Sequence, residues 1–458
     1  MQEGLNPMEK ISDLFTTKLT IGVTGFSRSG KTVFIGALAQ ALVCADAWKQ
    51  KTGQGPLAQF GPLERGQFRA ARIRDDVHAD TPQFPFRQVR DSLATHDAAW
   101  PQATEGISRL VLDLDYHTTG FYKRIKTLRI ELIDYPGEWL VDLPMLEQSY
   151  AEWSEQALAL AGTELRSSWS EPFFAQLGRL GTGEKFDEEQ AIKLTGSWAG
   201  YLQQAADYGL SRNQPGRLLR PGALRNSPVL RLFPLPEVCR DSPFGKGMEK
   251  RFEEYKKKII KPFFREHFKH IDRQIVMLDL LRVLQQGKQA FDEMVETFRE
   301  VLPVFHYGRK NLIPWLGGTK ISRLLFAATK GDHVTRGDRA NLEQMVRRML
   351  SLVDDRNELR SQVADYEVMT LASVRATEDR MTVKAPKREI LYGRPAGEGK
   401  ASQWDPGGLP LDMPPDWATV FFEFYRFEPP PMAEALSEGY PAINLGKALD
   451  YLIGEDLK

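Results

Sequence analysis

The sequence predicts an α/β fold: a mostly parallel, doubly wound sheet with helices on both faces, an antiparallel edge strand and a large helical insertion. A strand over residues 19–24 runs through a glycine-bearing loop into a helix that begins at Lys31. Two short, almost continuously apolar runs, at 274–279 and 324–329, are typical of central parallel strands that are covered on both faces. Residues 140–269, between the first strand and these runs, carry helical patterns, which predicts the insertion.

The N-terminal part of the chain predicts a strand, a helix and an antiparallel strand pair. Apolar residues at near-helical spacing extend the first helix from Lys31 to about residue 45. Residues 50–100 show no steady periodicity, and we predict an irregular segment with short helices. Alternating apolar residues over 109–116 and 127–134 predict neighbouring antiparallel strands at an edge of the sheet, with one face partly exposed to solvent.

The C-terminal part predicts further core elements and an extension. A helix over 339–355 and a strand at 368–373 are expected to follow the second central strand. Pro/Gly-rich residues with aromatic strand fragments then form an extension, and an amphipathic C-terminal helix is expected to dock on the sheet. The predicted organisation is an N-terminal segment (1–18), an α/β domain in two parts (19–139 and 270–385), the helical insertion (140–269), the extension (386–433) and the C-terminal helix (434–458).

The composition is typical of a folded chain with balanced charge. The 458 residues are 42% hydrophobic and 27% charged, and the formal net charge is +0, so we expect no nucleic-acid partner. The two cysteines, Cys44 and Cys239, form no CxxC pair, which disfavours a disulfide framework and a thiolate zinc site. No run approaches the roughly 18 to 20 apolar residues of a membrane span, and charges within residues 1–18 argue against a secretory signal. The expected location is the cytoplasm.

Residues 25–32, GFSRSGKT, match the pattern G-x-x-x-x-G-K-[ST] of a phosphate-binding loop, between a strand and a helix. Glycines let successive backbone N–H groups face one concavity that holds phosphate, and the helix N-terminus adds positive charge. Lys31 is expected to reach the outer phosphates, and the Thr32 hydroxyl to coordinate magnesium. A chance match would arise in roughly 2% of chains of this length. The predicted nucleotide-binding residues here are Gly25, Ser27, Arg28, Ser29, Gly30, Lys31, Thr32 and Val33.

A D-x-x-G pattern, Asp134 to Gly137, follows the second of the paired strands. A carboxylate at such a strand tip holds magnesium, often through water, and the glycine N–H contacts the γ-phosphate. A threonine that coordinates magnesium in the triphosphate state should precede the paired edge strand. We predict Thr104 for this role, with Thr81 and Thr95 as alternatives, and an ordinary loop threonine is a further alternative.

Residues 329–332, TKGD, fit the [NT]-K-x-D pattern that recognises guanine, at the end of a predicted strand. The Asp332 carboxylate can accept hydrogen bonds from guanine N1–H and the N2 amino group, and the Lys330 stem can lie over the base. An ordinary charged turn is the alternative, because such a match arises by chance in roughly one chain in ten. The predicted base-binding residues are Thr329, Lys330 and Asp332, with Ala372, Ser373 and Val374 after the last strand offering a backbone N–H to the guanine oxygen.

These motifs occur in the order found in the GTPase superfamily, and the chain resembles the bacterial YcjX-like family of stress-associated P-loop proteins along nearly its whole length. The resemblance implies a G domain that binds GTP or GDP with Mg²⁺, a helical insertion and a role in envelope or heat stress. We therefore expect a P-loop GTPase that acts as a nucleotide switch. The stretches that carry the resemblance are GFSRSGKT, DYPGEWLVDLPML, FHYGRKNL, LLFAATKGDHVT and LASVRAT.

The expected catalytic residues are Lys31, Glu138 and Arg28. Many GTPases place a glutamine directly after the D-x-x-G glycine to orient the attacking water, whereas this chain has Glu138. A glutamate adds negative charge near a polyanion, so we expect slow hydrolysis. Arg28 is close enough to act as a transition-state cation in cis, although a solvated loop arginine that contributes only its backbone N–H is the favoured alternative.

Two other functions compete with the GTPase prediction. One is an ATP-specific P-loop ATPase in which TKGD is accidental. The other is a nucleotide-binding scaffold without significant turnover. In the scaffold alternative the helical insertion and residues 385–433 are the working surfaces, and in the GTPase prediction the helical insertion carries the signal to a protein partner. Lys256, Lys257 and Lys258 are predicted to form a solvated helix face, and contact with a membrane surface is the weaker alternative. The sequence predicts no oligomeric state.

Overall fold

The computed structural model describes residues 16–51, 53–74, 81–95, 97–102, 106–119, 122–181, 185–302, 321–353 and 366–458. Within these ranges the chain has a mixed α/β fold around a seven-stranded sheet. The strands of this sheet are β1 (Thr16–Thr24), β2 (Phe68–Arg74), β3 (Ser108–His117), β4 (Ile125–Asp134), β5 (Arg273–Leu278), β6 (Arg323–Ala328) and β7 (Tyr366–Thr370).

The strand order is β2-β3-β4-β1-β5-β6-β7. Strands β4, β1, β5, β6 and β7 are parallel to one another, and β3 pairs antiparallel with both β4 and β2. The predicted mostly parallel sheet is therefore confirmed. Because parallel strands end at the same edge of a sheet, the segments that follow β1, β4, β6 and β7 meet at one edge.

The central strands are apolar because both of their faces are covered. Along β5, Ile275 and Met277 belong to one hydrophobic core, whereas Val276 and Leu278 belong to the core on the opposite face. This alternation follows from the two-residue period of a strand. It accounts for the almost continuously apolar sequence, since neither face is left for polar residues.

The prediction of an irregular segment over residues 50–100 is wrong at β2. The strand carries exposed arginines, and a bulge between Phe68 and Ala70 shifts its register against β3. These features remove the two-residue apolar period that would have identified a strand. Strand β2 therefore lies outside β3, and β3 is not the edge of the sheet.

Helices cover both faces of the sheet. The longer α-helices are α1 (Lys31–Val43), α2 (Phe86–Ala94), α3 (Tyr150–Ala161), α4 (Glu164–Leu177), α5 (Glu188–Tyr208), α6 (Pro243–Tyr255), α7 (Lys288–Val301), α8 (Arg339–Val353) and α9 (Leu445–Ile453). Shorter or irregular helical segments are Ala45–Trp48, Gly61–Glu64, Gly137–Glu147, Gly216–Leu219, Gly222–Leu224, Pro228–Leu230, Glu237–Arg240, Lys256–Ile260, Lys261–Glu266, Phe268–His270, Leu280–Gln285, Arg336–Asp338, Trp417–Thr419 and Ala435–Glu438. Among the described residues, none of the helices has the length and apolarity needed to cross a membrane.

Residues 140–269, here called the helical region, contain α3 to α6 and pack on the same face of the sheet as α7 and α8. The core of this region is aromatic, with Trp153, Trp198 and Phe173 buried. Arg166 is buried beneath it and forms a salt bridge of 2.8 Å with Glu293 of α7. The helical region is thus fixed to the rest of the fold by packing and by a buried ion pair.

A second, smaller sheet follows β7. Its strands are β8 (Thr377–Met381), β9 (Glu389–Pro395), β10 (Ser402–Trp404) and β11 (Phe427–Glu428), and β9 pairs antiparallel with each of the other three. Of the aromatic fragment 420–427, only Phe427 lies in a strand. Helix α9 then lies against the central sheet, where the Tyr451 hydroxyl donates to the Leu324 carbonyl at 3.4 Å.

Candidate functional site

A cavity of about 900 Å³ opens at the carboxyl ends of the parallel strands. Its volume is within the range of pockets that hold small molecules and cofactors. Its walls come from the loop after β1, the segments after β6 and β7, the helical region and the small sheet. Apart from Gly25 and Gly137, the predicted phosphate-binding and base-binding residues line this one cavity.

The loop of residues 25–32 has two glycines with different structural roles. A Cβ atom on Gly25 would lie 2.4 Å from the Met277 carbonyl oxygen, so no side chain fits there. Gly30 has a φ of 92°, a left-handed conformation that glycine adopts without strain, and its carbonyl accepts the first hydrogen bond of α1 from the Phe34 N–H at 2.8 Å. The glycines thus shape a tight turn from β1 into α1.

The Lys31 side chain folds back over this loop. Its ammonium donates to the Gly25 carbonyl at 2.5 Å and lies 3.4 Å from the Phe26 carbonyl. The positive charge is held across the opening of the loop, next to the N-terminus of α1. A phosphate at this position would meet both the ammonium and the helix N-terminus.

The loop already binds an anionic oxygen. The Ser27 N–H donates to Glu138 Oε1 at 2.9 Å, and Glu138 is only 6% exposed. Arg220 lies beside this contact, because it donates to Ser27 Oγ and its Nε is 3.9 Å from Glu138 Oε1. The Ser27 N–H therefore donates to a carboxylate oxygen, the kind of anionic acceptor that a phosphate also provides.

The segment after β4 contacts the loop directly. Asp134 ends β4 opposite Val23 of β1 and is fully buried. The Gly137 N–H donates to the Gly25 carbonyl at 3.2 Å, and a Cβ atom on Gly137 would lie 2.7 Å from that carbonyl. In this structure the Gly137 amide therefore binds the loop backbone, where the sequence predicts a γ-phosphate contact.

The two predicted magnesium ligands that the structure describes lie differently relative to the cavity. Thr32 lines the cavity, and Asp134 ends the strand that pairs with β1. Among the described residues, no cluster of three or more His, Cys, Asp or Glu side chains could hold a metal. Asp134 is fully buried and is not among the residues that line the cavity. A Mg²⁺ ion bound mainly by phosphates and water needs only one or two protein oxygens.

The predicted switch threonine, Thr104, lies outside the described residues. The two alternatives, Thr81 and Thr95, are described, and neither lines the cavity. Ala98 to Gln102, just before Thr104 in sequence, do line it. The Trp100 indole N–H donates to the Phe427 carbonyl of β11 at 2.8 Å, which joins this segment to the small sheet.

The segment after β6 is fixed by hydrogen bonds to its neighbours. The Thr329 N–H donates to the Leu278 carbonyl at 2.9 Å, and the Lys330 ammonium forms an ion pair with Asp279. Asp332 is 3% exposed, and its Oδ2 accepts a hydrogen bond from the Ala376 N–H at 2.8 Å. The carboxylate is therefore held rigidly at the cavity wall.

The segment after β7 completes this end of the cavity. Ala372, Ser373 and Val374 all line it. The Ala372 N–H donates to the Ile443 carbonyl at 3.1 Å, so this amide is already engaged by the segment before α9. Of the three residues, Ser373 and Val374 therefore remain as candidates for the predicted contact of a backbone N–H with the base.

Several cavity residues have no counterpart among the sequence-predicted ones. They lie in the helical region or the small sheet, far along the chain from the loop: Gln203, Asp207, Arg220, Arg426, Phe427 and Glu428. Arg28, by contrast, was predicted, and its guanidinium forms an ion pair of 3.5 Å with Asp207 of α5, with both side chains about half exposed. No local sequence pattern marks these contacts, since they depend on how distant parts of the chain dock.

Comparison with known proteins gives a consistent assignment. The model of the YcjX-like family, DUF463, matches residues 19–457. The chain is 32% identical to the Ras-like GTPase YcjX of Escherichia coli (strain K12), over 96% of both chains. It is 31% identical to the Ras-like GTPase YcjX of Shewanella oneidensis (strain MR-1), over 96% of this chain and 95% of the relative. The chain therefore belongs to the YcjX-like family.

Proposed function

We propose that the protein binds GTP and GDP in this cavity together with Mg²⁺ and hydrolyses GTP slowly to GDP and phosphate. The observation that carries the proposal is that residues 27–33 and Asp332 line the same cavity. They follow β1 and β6, which are separated by β5 and thus by about 10 Å of sheet. A nucleotide lying across β5 would place its phosphates on the loop and its base at Asp332.

The phosphate end is assigned to the loop amides, Lys31 and Thr32. The Ser27 amide donates to the Glu138 carboxylate, and the Lys31 ammonium donates to the Gly25 carbonyl at the loop opening. Thr32 and Asp134 would hold the magnesium ion, which supplies positive charge to the phosphates when it is bound. These residues bind and orient the triphosphate rather than react with it, as is usual for protein groups in phosphoryl transfer.

The base end is assigned to Thr329, Lys330 and Asp332. Burial and the Ala376 amide hold the Asp332 carboxylate in place, which favours a purine that donates two hydrogen bonds over one that does not. Guanine presents such a pair of donors and adenine does not. We therefore propose that the site binds GTP rather than ATP.

Slow turnover and switching follow from the residues after β4. Glu138 holds a negative charge on the Ser27 amide, where it opposes a γ-phosphate by like-charge repulsion. A γ-phosphate would also compete for the Gly137 N–H, which now binds the Gly25 carbonyl. We propose that this competition moves the segment 137–147 and that the helical region carries the change to a protein effector, with the role in stress supported by the family alone.

The scaffold alternative is favoured by the same contact, because Glu138 follows the D-x-x-G glycine where many GTPases have the glutamine that orients water. Phosphate release from GTP by wild type and by Lys31→Ala separates the two functions. The GTPase proposal predicts that wild type is faster by about tenfold or more. Wild type that binds GDP but releases phosphate no faster than Lys31→Ala would establish a scaffold.

Base specificity is tested by Asp332→Asn. We expect this variant to lose GDP affinity and to gain affinity for xanthosine diphosphate, because an asparagine amide matches the xanthine oxygen. A suitable control is Asp241→Asn, since the Asp241 side chain is 98% exposed. Unchanged preference for GDP in Asp332→Asn would contradict the assignment of this carboxylate.

A further inference from the structure

Arg220, in the helical region, lies at the opening of the loop of residues 25–32. It follows the short helix Gly216–Leu219 and lines the cavity together with Lys31. One of its guanidinium nitrogens donates to Ser27 Oγ, and its Nε lies 3.9 Å from Glu138 Oε1. Its side chain is 22% exposed, so its charge is only partly screened by water.

The backbone around Arg220 is fixed to the segment 137–147. The Trp139 indole N–H donates to the Arg220 carbonyl at 3.1 Å. A Cβ atom on Gly216 would lie 1.7 Å from the Glu138 carbonyl oxygen, so the two backbones are in direct contact. The Arg217 guanidinium lies 3.1 Å from the centre of the Trp139 ring. These contacts position Arg220 before any ligand binds.

Arg28 is less well placed for the same role. Its guanidinium forms an ion pair with Asp207, and 50% of its side chain is exposed. Its charge is therefore screened by solvent, and its carboxylate partner lies on α5 rather than at the loop. Arg220 has half that exposure and contacts the loop itself, through Ser27.

We propose that Arg220 is a catalytic residue, supplied in cis by the helical region, that stabilises the γ-phosphoryl group during GTP hydrolysis. The inference rests on the proposed function. In that reaction a water oxygen bonds to the γ-phosphorus, and the bond from phosphorus to the β,γ-bridging oxygen breaks with its electron pair leaving on GDP. One water proton stays on the phosphate and the other goes to solvent. The planar guanidinium offers paired donors to the oxygens on which charge develops.

Glu138 is the partner that Arg220 has before the triphosphate binds. Its carboxylate occupies the Ser27 amide and neutralises part of the guanidinium charge. The γ-phosphate replaces this carboxylate as the anion next to Arg220. Because Trp139 and Gly216 join the segment 137–147 to residues 216–220, nucleotide state and the position of Arg220 change together.

The test is single-turnover hydrolysis of GTP by wild type, Arg220→Ala and Arg220→Lys, with GDP affinity measured in parallel. We expect the hydrolysis rate of Arg220→Ala to fall by about 100-fold or more, whereas its GDP affinity stays within about threefold of wild type. The Arg220→Lys variant should recover little of the hydrolysis rate, since lysine lacks the planar guanidinium with its paired donors. The matched control is Arg225→Ala, which removes an exposed arginine further along the same segment and should hydrolyse GTP as wild type does.

Binding of aluminium fluoride with GDP, a mimic of the transferring phosphoryl group, gives a second readout. Wild type should form this complex, and Arg220→Ala should not. Hydrolysis within about threefold of wild type together with normal complex formation would overturn the inference, as would an equal loss of GDP affinity and hydrolysis rate. Wild type no faster than Lys31→Ala would instead overturn the proposed function and this inference with it.

Discussion

At the scale of single residues, the absence of a side chain at Gly137 matters as much as any charge in the cavity. A Cβ atom there would lie 2.7 Å from both the carbonyl carbon and oxygen of Gly25 and 3.0 Å from the Phe26 nitrogen. All of these neighbours are backbone atoms, so they cannot move aside as a flexible side chain would. The D-x-x-G glycine thus allows the segment after β4 to lie against the loop of residues 25–32.

We predict that Gly137→Ala weakens GDP binding by about tenfold or more, because relief of the clash must displace the loop at a cost of roughly 1–3 kcal/mol. The measurement is a fluorescence titration with labelled GDP. The control is Gly200→Ala in α5, where no atom lies within 4 Å of the added Cβ. That variant should bind GDP normally and gain up to about 1 kcal/mol of helix stability. Normal GDP binding by Gly137→Ala would show that the loop tolerates the shift.

The sequence predicted most residues of the loop and of the Asp332 segment because each set is contiguous. Their chemistry is contained in a short pattern that follows a strand. Arg220 was missed because its contact with Ser27 joins residues 193 positions apart, and nothing near Arg220 in sequence indicates a phosphate neighbour. Arg28 was predicted from its position in the loop, but that position did not indicate its ion pair with Asp207.

At the scale of elements, the joint between the segment 137–147 and the helix Gly216–Leu219 contains a buried carboxylate. Asp142 accepts hydrogen bonds from the Gly216 N–H at 2.7 Å and from the Tyr255 hydroxyl at 2.6 Å. Burial raises the pKa of Asp142 to about 6, against the lowering effect of Tyr255 and the nearby backbone amides. The folded protein therefore favours the protonated carboxyl more than the unfolded chain does.

This shift predicts how stability depends on pH. Between the ordinary pKa of 3.8 and about 6, the folded state binds more protons than the unfolded state. The contribution of Asp142 to the free energy of unfolding is then fully present below pH 3.8. It falls as pH rises through about 6, by up to roughly 1.4 kcal/mol per pH unit.

Asp142→Asn should remove this pH-dependent contribution to the free energy of unfolding. The difference in thermal midpoint between wild type and variant should therefore change between pH 4 and pH 7. As pH rises, the thermal midpoint of the variant should increase relative to that of wild type. Asp241→Asn, which alters a solvent-exposed carboxylate, should show no such trend. Parallel midpoint curves for wild type and Asp142→Asn would contradict the raised pKa. The expected slope follows from proton linkage.

Elements were predicted from sequence where burial on both faces or strict alternation produced a clear period. Beyond their first residues, Arg273, Gln274 and Arg323, strands β5 and β6 are apolar because two cores cover them, and β3 and β4 alternate. Strand β2 was missed because its bulge and its arginines obscure the period. The fragment 420–427 has a strand-like composition, yet only its last residue, Phe427, lies in a strand. Phe422 and Phe424 pack against the core on the side of the helical region, whereas Phe421 is exposed.

At the scale of the whole molecule, the cavity combines parts that are far apart in sequence. The sheet brings the loop and Asp332 to one edge, and the order of the motifs was enough to predict this half. The opposite walls come from the helical region and the small sheet, through contacts such as Trp100 with Phe427. Those walls were not predicted, because their position depends on the docking of whole units and leaves no periodic signal.

The measurement that tests the central claim most directly is calorimetric titration of the protein with GDP and with ADP in the presence of Mg²⁺. The account predicts that GDP binds about 100-fold or more tightly than ADP, because adenine would leave the buried Asp332 carboxylate without its partners. It also predicts that Lys31→Ala binds neither nucleotide measurably. Equal affinity for GDP and ADP, or no heat with either, would contradict it.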